Sequence, residues 1–171
     1  MAEQTSSAAG SKPSAPQPRT NGGPPISPNH PDLTAFATKI YNAARTGDLP
    51  IFQQAIPAGL PANLTNEKGD TILMLACYHG HLEVARLLLE NGADPNRVND
   101  RGQSILAGAV FKKEEDIVRL LCEWGADPDL GDPSAQAAVG IFRMEGEWGE
   151  VLEEARRKLR GTREGGVSEG V

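Results

Sequence analysis

The sequence predicts an all-α repeat solenoid, built of helix-turn-helix units stacked side by side. Three observations carry that expectation. No alternating apolar–polar pattern is present, while apolar residues recur at helical spacing from about Asp32 to about Leu159. Two separate landmarks share one period: NEKGDTILMLAC from Asn66 aligns with NDRGQSILAGAV from Asn99, and GADPN from Gly92 with GADPD from Gly125, each pair offset by 33 residues. The runs HLEVARLLLENG and EEDIVRLLCEWG fall into the same frame, each helical and each closed by a glycine.

Taken in chain order, residues 1–31 read as a disordered Pro/Ser/Gly-rich tail. SKPSAPQPRTNGGPPISPNH holds too little apolar surface to offset chain ordering. A flexible tether is the plain reading, and a docking or phosphorylation segment at Ser27-Pro28 is the sharper one. The repeat domain is expected over 32–160, in units of about 32–65, 66–98, 99–131 and 132–160, and 161–171 reads as a flexible C-terminal tail.

The first unit opens with DLTAFATKIYNAAR, with Asp32 as N-cap and Leu33, Phe36, Ile40 and Ala44 on one stripe. Its AARTGDLPIF mirrors ACYHGHLEVA, which places Gly47 one period before Gly80. In the second and third units, Thr71 and Ser104 suit the helix start, since a hydroxyl accepts from free backbone N–H groups. Gly92 and Gly125 fall just past the second helix, where positive φ is usual, and Asp-Pro then stops the chain from continuing. The fourth unit, SAQAAVGIF followed by GEVLEEARRKLR, is looser, and its charged helix suits a terminal cap.

A 33-residue period carrying G-x-T-x-L-x-x-A, then G-H-L-E-V, L-L-L and G-A-D-x-N, resembles the ankyrin repeat. The resemblance covers the two middle units closely, the outer two loosely and neither tail; the wording is similar to small free-standing ankyrin proteins of microbes. There are departures. The usual T-P-L-H becomes Thr71-Ile72-Leu73-Met74 and Ser104-Ile105-Leu106-Ala107, so the family's turn-to-helix histidine hydrogen bonds are lost. Lys113 stands where Gly80 stands one unit earlier, at an expected cost of about 1–2 kcal/mol if φ stays positive there.

The resemblance implies a protein–protein interaction module, an adaptor, inhibitor or escort, that holds a partner protein in its concave groove and on its turn tips. On the inner helices the positions before the connection are Arg45-Thr46, Tyr78-His79 and Phe111-Lys112. Tyr78 and Phe111 either stand side by side on the groove wall as anchors or pack between helices as core. The expected contact set is Arg45, Tyr78, His79, Phe111 and Lys112, rimmed by Glu67, Lys68, Asp70, Asp100, Arg101 and Gln103 on the turns. Those turn charges are either a polar rim or merely solubilising. An acidic escort chaperone for a basic client, motivated by the net charge of -6, is the alternative.

No enzymatic chemistry is expected. Cys77-x-His79-x-His81 points its three side chains in different directions on a helix, so neither a metal site nor a cysteine nucleophile follows, and no cofactor is implied. Phosphate-binding glycine loops, zinc spacings and nucleophile elbows are missing from the sequence. Trp124 and Trp148 are expected to cover the outer helix layer, with an exposed Trp124 marking a second, convex contact. The acidic balance argues against nucleic acid and membrane surfaces, and the two cysteines, the missing secretory pattern and the short apolar runs against an oxidising compartment or a membrane span. The expectation is a monomer in the cytosol or nucleus.

Overall fold

The computed structural model describes residues 31–143 and 145–164, in eight helices. They are α1 (Pro31–Thr46), α2 (Leu49–Ala55), α3 (Ile72–Tyr78), α4 (Leu82–Glu90), α5 (Ile105–Lys112), α6 (Glu115–Glu123), α7 (Ala135–Ile141) and α8 (Glu145–Glu164). The inner helices α1, α3, α5 and α7 pack in sequence, and the outer helices α2, α4, α6 and α8 pack behind them. This is the all-α solenoid of paired helices. Among the described residues extended pairing is limited to isolated bridges, Thr65 to Thr71 and Val98 to Ser104. Residues 1–30 of the expected N-terminal tail, Ser27-Pro28 among them, and residues 165–171 lie outside the described residues, and α8 runs on past the boundary placed at 160.

The middle units show why these residues form these elements. Thr71 Oγ1 accepts from the Met74 N–H at 3.0 Å, and Ser104 Oγ accepts from that of Ala107 at 3.2 Å. Ahead of each cap, an asparagine closes the turn. Asn66 Oδ1 accepts from the N–H groups of Lys68 and Asp70, and Asn99 Oδ1 from those of Arg101 and Gln103, at 2.9 to 3.0 Å. Ile72 to Cys77 are all buried, so α3 is apolar on every side and is covered by α1, α4 and α5. Past α4 and α6, Gly92 (φ 87°) and Gly125 (φ 80°) take the left-handed conformation that ends the helix.

A second asparagine ties unit to unit. Asn63 Nδ2 donates to the Gly92 carbonyl and Asn63 Oδ1 accepts from the Asp94 N–H; Asn96 repeats both bonds to Gly125 and Asp127, at 2.8 to 3.2 Å. His81 adds another tie, its Nε2 lying 2.8 Å from the Arg45 carbonyl oxygen. A Cβ on Gly47 would stand 2.5 Å from that imidazole, so the left-handed connection (φ 74°) and the histidine above it require glycine together.

The outer units depart from the expectation in three ways. α1 begins at Pro31, so Asp32 is not the N-cap but sits inside the first turn, where its charge complements the helix dipole. The stripe expected on α1 is half buried: Ile40 and Ala44 are in the core, whereas Leu33 and Phe36 are exposed. The last unit is shortened. Ser134, the N-cap of α7, follows Ser104 by 30 residues rather than 33, and its Oγ accepts from the Ala137 N–H at 3.2 Å. Where Asn96 tied the second unit to the third, Asp129 instead accepts from Arg156 of α8, whose Nε donates to Oδ2 at 2.9 Å.

Candidate functional site

The inner helices end on one side of the stack, and the last residues of α3 and α5 emerge from the core there. After six buried residues, Tyr78 closes α3 with 40% of its surface exposed; Phe111, near the end of α5, is 54% exposed. Both aromatics therefore stand on the surface rather than between helices. The two do not form one stack. Tyr78 lies beneath the Lys112 ammonium, 5.1 Å from its ring centroid, and a Cβ on Gly108 would come within 3.7 Å of the Tyr78 ring. Phe111 meets Phe142 of the next unit edge to face, with centroids 5.4 Å apart. Phe142 (45% exposed) and Ile141 extend the apolar surface to the end of α7.

Polar groups border these rings. His79 is edge-on to Tyr78 at 5.5 Å and stacked on His81 at 6.4 Å. Its pKa is held below the ordinary 6.5, first by partial burial and then by the positive fields of His81, Arg45 and Lys112. Arg45 is exposed and donates to Asn42 Oδ1 at 3.1 Å.

The groove deepens beside α1 into a cleft of about 630 Å³, lined by Leu33, Phe36, Tyr41 and Arg45 on one side and by Leu64, Glu67 and Lys68 on the other. Tyr41 hydroxyl donates to the Thr65 carbonyl, and burial raises its pKa. Glu67 and Lys68 thus face a concavity, together with Arg45. The other turn residues have structural engagements. Asp70 is half-buried and accepts from Asn66 and from Asn99 of the next turn, the latter at 2.8 Å. Gln103 Oε1 accepts from the same Asn99 at 3.0 Å. Asp100 and Arg101 are exposed at the tip of the following turn.

Ile141 and Phe142 are surface residues the sequence did not single out, and Leu33 and Phe36, expected on the apolar stripe of α1, join the exposed surface. A step of 33 from Phe111 lands on residue 144, whereas the shortened last unit brings Phe142 under Phe111 instead. On the convex side, Trp124 is 43% exposed and Trp148 is buried.

Cys77 is fully buried, and desolvation pushes its thiol far above the ordinary range; Cys122, half-buried, is raised to about 11 for the same reason. His81 is spent on the Arg45 carbonyl. Among the described residues no group of three or more His, Cys, Asp or Glu side chains is placed to hold a metal ion, and no helix is long and apolar enough to cross a membrane.

The family model for ankyrin repeats, in three copies, matches residues 40–132. An ankyrin repeat protein of Pseudomonas aeruginosa, PA3287, is 46% identical over 52 residues, which is 30% of each chain. The crystal structure of the human ASB11 ankyrin repeat domain matches with a TM-score of 0.50 and 34% identity, over 52% of this chain and 40% of that one. The chain thus matches less than half the length of either relative.

Proposed function

The chain belongs to the ankyrin-repeat family, a non-catalytic protein-interaction fold, and from that premise we propose that it acts as an adaptor, inhibitor or escort whose partner protein lies along the concave face. One observation carries the reading: Tyr78, Phe111 and Phe142 are exposed in succession at the ends of the inner helices of three adjacent units, beside residues that are almost wholly buried. Exposed aromatics bordered by polar groups are the usual anchors of an interface, and truncating one costs about 2 kcal/mol or more of binding. The cleft beside Phe36 and Tyr41 continues this surface to the first unit. The module works as a monomer, and two free thiols, one in the core, suit a reducing compartment such as cytosol or nucleus.

The test is affinity capture from lysate of the source organism, comparing wild type with Tyr78→Ala/Phe111→Ala. Both rings are exposed, so the double variant should melt as wild type does. Loss of a captured protein supports the reading and identifies the partner. Retention of every captured protein by a folded variant would move the contact to Trp124 and the convex side.

A further inference from the structure

We infer that the concave face selects an acidic polypeptide segment that also carries apolar side chains, its carboxylates seated by Arg45 and Lys112 at the C-terminal ends of α1 and α5. This rests on the concave face being the contact surface, and it adds the chemistry of the occupant.

The C-terminal ends of the inner helices carry charge opposite to that of the chain. The formal net charge is -6, yet α3 (ILMLACY), α5 (ILAGAVFK) and α7 (AQAAVGI) contain no carboxylate. Their charged and titratable side chains gather at the helix ends: Arg45 closes α1, His79 caps α3 and Lys112 closes α5. A cation near a helix C-terminus gains about 0.3–1 kcal/mol from the dipole, which explains one such residue per helix but not their mutual approach. Their placement links them: the Lys112 ammonium lies 5.1 Å from the Tyr78 ring centroid, Tyr78 meets His79 edge-on at 5.5 Å, His79 stacks on His81 at 6.4 Å, and His81 reaches the Arg45 carbonyl at 2.8 Å. Like charges crowded on one surface gain from an added anion.

The protein's own carboxylates nearby do not meet that need. Asp48 Oδ1 accepts from the Ile51 N–H as the cap of α2, and Glu115 is paired with Arg119 at 2.7 Å. Glu114 lies over Gly80, where a Cβ would stand 3.0 Å from its oxygens, and among the described residues it forms no ion pair with Arg45 or Lys112. Lys112 rests on the Tyr78 ring, which holds the ammonium in place and leaves it available to a carboxylate. The turn tips, with Glu67, Lys68, Asp70, Asp100 and Arg101, mix both signs and do not reverse the picture.

The apolar half of the occupant follows from Tyr78, Phe111, Ile141 and Phe142, which interleave with the cations. A polypeptide offers carboxylates and apolar side chains at this spacing. A nucleic acid does not fit as well, because a long polyanion is repelled by the rest of a chain of net charge -6. A basic client would have to dock away from these helix ends.

A random twelve-residue peptide library displayed on phage, selected against the full chain, supplies the test. The most enriched peptide is synthesised and its binding measured by fluorescence anisotropy at low and moderate salt. The expected result is enrichment of Asp and Glu interspersed with apolar residues, and affinity that falls with salt. Binding should weaken at least about tenfold in Arg45→Glu/Lys112→Glu and also in Tyr78→Ala/Phe111→Ala, each with an unchanged melt. Lys112→Gln serves as the milder variant if the charge reversal perturbs folding. Basic peptides that are lost in the aromatic variant overturn the acidic occupant and leave the concave reading standing. Peptides indifferent to both variants overturn the two together. Displacement of the peptide by a single-stranded oligonucleotide overturns the choice of a polypeptide, and selection no better than on bare support overturns the inference outright.

Discussion

Replacing Lys113 by glycine should stabilise the protein. Lys113 ends α5 with φ 60° and ψ 37°, a left-handed conformation, at the place where the two preceding units have Gly47 (φ 74°) and Gly80 (φ 79°). A side chain with a Cβ loses about 1–2 kcal/mol in that conformation, because Cβ crowds the following carbonyl oxygen. Glycine avoids the crowding and gives back part of the gain, about 0.5–1 kcal/mol, through the greater freedom of the unfolded chain. The Lys113 ammonium at a helix C-terminus is worth a few tenths more, on the order of 0.3 kcal/mol at an exposed site. The net expectation for Lys113→Gly is about 0.5 kcal/mol of added stability. The assay is urea unfolding followed by far-ultraviolet circular dichroism, with the midpoint rising and the slope unchanged. Gly80→Lys is the reciprocal perturbation. By the same terms it should cost about 0.5 kcal/mol, and the 3.0 Å approach of the new Cβ to the Glu114 carboxylate adds little because that flexible side-chain end can move. A lower midpoint for Lys113→Gly, or a neutral Gly80→Lys, would refute the reasoning and mean that the connection between α5 and α6 is held differently.

Asn96→Ala removes both bonds between the second and third units, to the Gly125 carbonyl and the Asp127 N–H, and should cost about 1–2 kcal/mol in the same urea assay, since both sites are open to water. His79 should titrate below 6.5 when its ring protons are followed by NMR, and Arg45→Gln or Lys112→Gln should raise the midpoint only partway, because burial is the larger cause. As the folded value lies below the unfolded one, the linked stability is present above pH 6.5 and is lost as the pH falls from there through the folded value; a midpoint at or above 6.5 would contradict this. At pH 8 a thiol reagent should leave Cys77 untouched and modify Cys122 only slowly, with both reacting promptly in urea; rapid native labelling of Cys77 would mean that α3 opens readily.

The repeat was legible because its signals are local. The turn asparagines, the hydroxyl caps Thr71 and Ser104 and the glycines after α4 and α6 each act within a few residues, so a fixed period exposes them. The left-handed strain at Lys113 was legible for the same reason. What depends on distant partners was not. Asn63 and Asn96 look like ordinary loop residues until Gly92, Asp94, Gly125 and Asp127 are seen beside them. Helical spacing assigned Leu33 and Phe36 to a stripe but carries no information on whether a neighbour exists to cover it. The 33-residue step also failed once the frame shortened to 30, which hid the capping role of Ser134 and the contact of Phe111 with Phe142. Among the expected contact residues, Asp70 and Gln103 proved to be bonded within the turn ladder, a role that a charge-based reading of turn tips does not reveal.

The concave residues can be separated from the residues that hold the fold, and this separation is the strongest physical reason to read them as functional. In α3, Ile72 to Cys77 already fill the space between α1, α4 and α5, so Tyr78 adds little to the core. In α5, Ile105, Leu106, Ala107, Ala109 and Val110 do the same, and Phe111 reaches past them to a ring that is itself exposed. Large apolar side chains gain most of their folding free energy by leaving water, roughly 25 cal/mol per Å² of apolar surface buried, and rings left half exposed forgo much of it. Single exposed apolar residues are common and need no special cause. Here, however, three aromatics fall on consecutive units, joined by a Lys112–Tyr78 contact and a Phe111–Phe142 contact, with cations interleaved. Joined in this way they form one continuous apolar surface rather than scattered single exposures, and a contiguous patch of that kind is what marks an interaction surface.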